Sequence, residues 1–95
     1  MEENFRKKAE YKSAIRSRKM IREAFMQLLK EKDIRKITVT DIITKADLNR
    51  TTFYAHYPDV KGITEEIENE VIDKMLEILK KFKFKNFLVI QRPYF

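Results

Sequence analysis

The chain has 95 residues, with 21 Lys and Arg against 15 Asp and Glu for a formal net charge of +6. That length makes one small domain whose core is near the practical lower limit. It contains no cysteine, which excludes a disulfide framework and a thiolate metal site.

The opening run M-E-E-N-F-R-K-K is charged and lacks the apolar stretch of a secretory signal. The longest aliphatic or aromatic run, Phe87 to Ile90, is far too short to span a membrane. Charge is unevenly placed. Residues 1–61 carry 15 Lys and Arg against 9 Asp and Glu, whereas residues 62–95 carry 6 against 6. A basic part joined to a neutral part points to a polyanion-binding end and a packing or partner end.

One Gly and two Pro favour helix throughout, so the expected class is all-α. Residues 1–12 read as a basic arm or a frayed extension of the first helix. Helix one is expected from about Ser13 to Lys32, with Ile21, Ala24, Phe25, Leu28 and Leu29 at helical spacing. Residues 33–37 read as a short, mostly polar connection. Helix two runs from Val39 to about Ala46, with Thr38 as N-cap and Asp41 placed for a capping box. Its inward face is Val39, Ile42, Ile43 and Ala46.

Asp47 takes the corner, since Asp tolerates a left-handed backbone better than most residues. Asn49 caps helix three, expected from Arg50 to Tyr57, and Pro58 closes it. Asp59 caps helix four, expected from Val60 to about Phe82. The stripe of that helix is Ile63, Ile67, Val71, Met75, Ile78, Leu79 and Phe82. Residues 83–95 are apolar and aromatic without a clean period, a remnant or the start of a further domain. The organisation read from the sequence is therefore an arm at 1–12, a helix-turn-helix at 13–60, a connecting helix at 61–82 and a tail at 83–95.

Two short amphipathic helices meeting at a polar corner outline a helix-turn-helix, whose second helix can enter a DNA major groove. With Leu48, Phe53 and Tyr57 inward, helix three presents Asn49, Arg50, Thr51, Thr52, Tyr54 and His56 at its outer face and ends. Arg pairs with guanine, Asn with adenine, and Thr touches a thymine methyl or a phosphate. Tyr and His hydrogen-bond phosphate oxygens. The basic run Arg16, Arg18, Lys19 and Arg22 is either a solvated face or a second line of backbone contacts.

The segments I-R-E-A-F-M-Q-L-L, T-V-T-D-I-I-T-K-A and L-N-R-T-T-F-Y-A-H-Y-P-D carry a family likeness. From about Ile21 to Ile63 the chain resembles the DNA-binding domain of the TetR family of bacterial transcriptional regulators. The resemblance implies a homeodomain-like three-helix helix-turn-helix bundle followed by a longer fourth helix. It implies phosphate contacts at Thr38 and Thr40, base and phosphate contacts at Asn49, Arg50, Thr51 and Thr52, and backbone contacts at Tyr54 and His56. Asp47 departs from the family's usual corner glycine, and Thr51 from a frequent small residue.

Val60 stands where the family presents a phosphate-binding lysine, and that role passes to Lys61. A lysine in a first helical turn opposes the macrodipole unless an anion sits there too. The implied function is a cytoplasmic repressor, nucleoid-associated when bound, that acts as a homodimer on double-stranded DNA with a palindromic operator. The family's effector-binding domain has little room after Phe82, so no small-molecule effector is assigned. No cofactor or metal is expected: His56 is the single histidine, and no nucleophile arrangement or Gly-rich phosphate loop supports an enzyme. The competing expectation is a protein-interaction adaptor that uses the helix-four stripe and apolar tail, with DNA binding secondary.

Overall fold

The structure, a computed structural model, describes the backbone of residues 2–90 and the side chains of residues 3–82. In chain order it comprises α1 (Glu2–Glu31), a 3-10 turn (Ile34–Lys36), α2 (Val39–Ala46), α3 (Arg50–His56) and α4 (Val60–Ile90). The fold is all-α. The chain falls into two units, residues 1–63 and residues 64–95.

The first unit is a three-helix arrangement in which α1, α2 and α3 each pack on the other two. Its core draws Ile21, Ala24, Phe25 and Leu28 from α1, Ile42 and Ala46 from α2, and Phe53 and Tyr57 from α3 and its end. Ile63, at the edge of this unit, is also fully buried. Phe25, Phe53, Ile21, Ile42 and Ile63 lose essentially all contact with water. Each such side chain stabilises the unit by about 1.5–3 kcal/mol. At 8 and 7 residues, α2 and α3 are too short to persist alone, so this packing holds them.

Several boundaries differ from the sequence expectation. Helix α1 begins at Glu2, not Ser13, because nothing between Glu2 and Ser13 breaks a helix. Residues 3–16 of α1 are exposed all round. The connection after α1 contains a 3-10 turn whose N-cap, Asp33, accepts from the Arg35 amide at 2.9 Å. The same carboxylate takes two further hydrogen bonds from the Arg35 guanidinium, which hold its pKa below the usual carboxylate range. This turn directs Ile37 into the core, a residue the polar look of the segment conceals. Leu29, Val39, Ile43 and Leu48 are half-buried, at the rim of the core. Helix α4 continues past Phe82 to Ile90, since no Gly or Pro interrupts that stretch.

At the start of α4 the Asp59 carboxylate accepts from the Gly62 amide at 2.8 Å. A Cβ at position 62 would lie 3.0 Å from the Pro58 ring, so glycine permits the close approach of that ring to the first turn.

In the second unit, every residue from Glu68 to Phe82 is exposed. The large apolar side chains of residues 71–82 are 51–64% accessible. The side chains of residues 83–95, read above as an apolar tail, lie outside the described residues.

Candidate nucleic-acid interface

The corner between α2 and α3 is built from local hydrogen bonds that the sequence encodes one at a time. At the start of α2 the Thr38 hydroxyl accepts from the Asp41 amide at 3.1 Å, and the Asp41 carboxylate accepts from the Thr38 amide at 3.0 Å. This reciprocal capping box satisfies two otherwise orphaned amides. Asp41 also accepts from Lys32 Nζ at 2.8 Å, and Lys45 donates to Glu31 at 2.7 Å. Both pairs tie α2 to the end of α1. The Lys32 ammonium, then the Thr38 amide, hold the Asp41 carboxyl below its ordinary pKa.

Helix α2 ends where Asp47 turns left-handed, at φ 55° and ψ 49°. The Leu48 amide donates back to the Ile43 carbonyl at 2.9 Å, closing the helix in the Schellman manner. Among the described residues, Asp47 is the non-glycine position with positive φ. Two residues on, Asn49 caps α3 by accepting from the Thr52 amide at 2.8 Å.

This geometry places α3 with Phe53 fully buried and its N-terminal end open. Asn49, Arg50, Thr51 and Tyr54 are exposed there, with Thr52 half-buried beside them. The Arg50 guanidinium donates to the Thr40 hydroxyl, so the exposed ends of α2 and α3 are joined by a side-chain hydrogen bond. Tyr54 stacks edge-on against Phe53, with ring centroids 5.4 Å apart, and leaves half its surface in water. Thr38 and Asn49 each use a side-chain oxygen as a cap. What remains for an outside partner is the Thr38 hydroxyl proton and the Asn49 amide donors. Lys61 is exposed in the first turn of α4.

His56 is placed differently from the rest of this set. Its Nε2 lies 2.8 Å from the Ser17 hydroxyl of α1. The ring is half-buried, and burial, helped by the Arg18 charge, pushes its pKa below the ordinary histidine value. The Arg18 guanidinium lies over the Tyr57 ring, 5.0 Å from its centroid. Sequence reading missed the Ser17–His56 and Arg18–Tyr57 pairs. Each joins residues 39 positions apart, a separation to which local spacing carries no clue. Among the described residues no cluster of His, Cys, Asp and Glu is placed to hold a metal ion. No described helix is long and apolar enough to cross a membrane.

A short helix, a left-handed corner and a capped second helix with an open N-terminal end constitute a helix-turn-helix. Over 67 residues, 70% of the chain, the sequence is 39% identical to YxbF, an uncharacterized HTH-type transcriptional regulator of Bacillus subtilis (strain 168). The matched stretch spans 17% of that protein's length. No family model matches the chain. No solved structure matches it.

Proposed function

We propose that residues 13–60 form the DNA-binding domain of a bacterial transcriptional regulator, with α3 as its recognition helix. The observation that carries this reading is the α3 N-terminus, where Arg50, Thr51 and Tyr54 stand exposed beside Thr40 of α2. The similarity to a helix-turn-helix regulator and the excess of positive charge in residues 1–61 support it. In this reading Arg50 and Thr51 meet base edges. Thr38, Thr40, Asn49, Thr52, Tyr54 and Lys61 meet phosphates and fix the register. His56 acts through the Ser17 contact and reaches the backbone at the end of α3.

The finer reading is a TetR-type cytoplasmic repressor that binds a palindromic operator as a homodimer. Its half-sites would then lie about 34–36 Å apart or at a multiple of that spacing. The motif T-x-F-Y-x-H-Y at residues 51–57 favours that family over other helix-turn-helix classes.

The test begins with selection of binding sites from random duplex DNA, followed by titration of the selected site at two salt concentrations. The expected result is one enriched motif and a log affinity that falls by about 0.9 per phosphate contact for each log unit of salt. Arg50→Ala is expected to lower affinity for that motif and relax one base position. An absence of any enriched motif, or an Arg50→Ala chain with unchanged affinity and preference, would overturn the assignment.

A further inference from the structure

We infer that Ser17 is a positioning residue for DNA binding: it fixes the tautomer of His56, so that the ring engages a phosphate only by taking up a proton. The inference rests on the reading of α3 as a recognition helix with His56 at the DNA backbone. It adds the protonation state in which that contact forms.

A serine hydroxyl has one proton to give. The Ser17 Oγ lies 3.1 Å from the Ser13 carbonyl oxygen and 3.1 Å from the Ala14 carbonyl oxygen. Both oxygens only accept, so the hydroxyl donates back to its own helix, a common habit of serine inside helices. The 2.8 Å contact with His56 Nε2 then takes its proton from the ring. If the hydroxyl turned to Nε2 instead, its lone pairs would face two carbonyl oxygens with no proton between them. Ser17 therefore holds His56 with the proton on Nε2.

In that tautomer Nδ1 carries a lone pair. It makes no hydrogen bond among the described residues. A phosphate oxygen is an acceptor too, so the neutral ring has no nitrogen donor left for it. Protonation at Nδ1 turns both nitrogens into donors, one for Ser17 and one for a phosphate. The phosphate charge favours that cation. In the unbound chain burial and the Arg18 charge on α1 disfavour it, while Tyr57 lies tilted against the ring with centroids 6.4 Å apart. Among the described residues no charged group of α2 or α4 acts on the ring. Binding thus carries a proton onto His56, and affinity falls as pH rises.

Long-range 1H–15N spectra read the tautomer directly, and a single histidine makes the signals unambiguous. At about pH 7.5 the unbound chain is expected to hold the proton on Nε2. A ring protonated on Nδ1, or an even mixture, would overturn the inference. Affinity for the selected duplex is then titrated from about pH 6 to about pH 8 at fixed salt. It is expected to fall roughly threefold to tenfold per pH unit for each His56 engaged. Ser17→Ala is expected to flatten that slope, because the released ring can place its proton on Nδ1. His56→Gln should flatten it too, since an amide donates without titrating. Unchanged helical circular dichroism shows that each variant is folded. Specific binding with a pH-independent affinity, or an undiminished slope in Ser17→Ala, would overturn this inference and leave the DNA reading standing. Absence of specific binding at every pH would overturn both.

Discussion

Arg50, the first residue of α3, donates a hydrogen bond to the hydroxyl of Thr40 in the first turn of α2. The contact holds a long side chain at the mouth of the corner, where an unrestrained arginine would sample many rotamers. Under the proposed DNA reading, orienting it in advance would lower the entropy lost when it engages a base. Thr40→Val is therefore expected to weaken preference at the base position that Arg50→Ala relaxes. The loss should be about threefold to tenfold, the value of one hydrogen bond. Thr40→Ser should retain the preference. Competition titrations with single-base variants of the selected site measure all three. An Arg50→Ala loss at one base position and a Thr40→Val loss at another would refute the coupling.

Asp47 holds a left-handed conformation at which a glycine carries no steric cost. Asp47→Gly is expected to leave stability unchanged or raise it by up to about 1 kcal/mol. Asp47→Val, whose branched Cβ conflicts with positive φ, is expected to cost roughly 1–2 kcal/mol. Urea unfolding followed by circular dichroism checks both signs.

Phe53 is fully buried and contacts the rings of Tyr54 and Tyr57. Phe53→Ala is expected to cost about 3–5 kcal/mol. That is a large part of the stability of a small domain, about 5–15 kcal/mol. The variant should lose its cooperative thermal transition or show it at much lower temperature, whereas Phe53→Leu should keep it.

His56 gives a pH dependence whose sign follows from its surroundings. Burial, then the nearby Arg18 charge, lower its pKa in the folded chain. The unfolded chain therefore binds more protons in the window just below the ordinary histidine value of about 6.5. The stability His56 contributes is fully present above that value and is lost as pH falls through the window. The melting temperature should drop between about pH 7.5 and about pH 5.5, and the slope should flatten in His56→Gln. Thermal melts of the two proteins across that range measure it. An equal slope in the variant would assign the dependence to other groups.

What the sequence disclosed was local. Thr38, Asp41, Asn49 and Asp59 cap helices because a short polar side chain one to three residues from an amide acts wherever the rest of the chain lies. Asp47 was legible for the same reason, as was the α1 stripe that buries Ile21, Phe25 and Leu28. Ile37 was not legible, since its burial depends on the turn formed by Ile34–Lys36 rather than on any period. The contacts of Ser17 with His56 and of Arg18 with Tyr57 were hidden too. They arise where α1 meets the end of α3, and only the assembled bundle defines that place. The expectation of His56 as a DNA contact did not anticipate its partner in the bundle, a serine on the first helix.

Helix α1 is 30 residues long, yet the residues it contributes to the core lie between Ile21 and Leu28. Its exposed first half gains nothing from packing and holds its hydrogen bonds on helix propensity alone. Amide protons there should exchange with solvent on the timescale of an isolated peptide helix. Those from Ile21 to Leu28 should exchange with the whole bundle, so that one continuous helix behaves as two bodies in time.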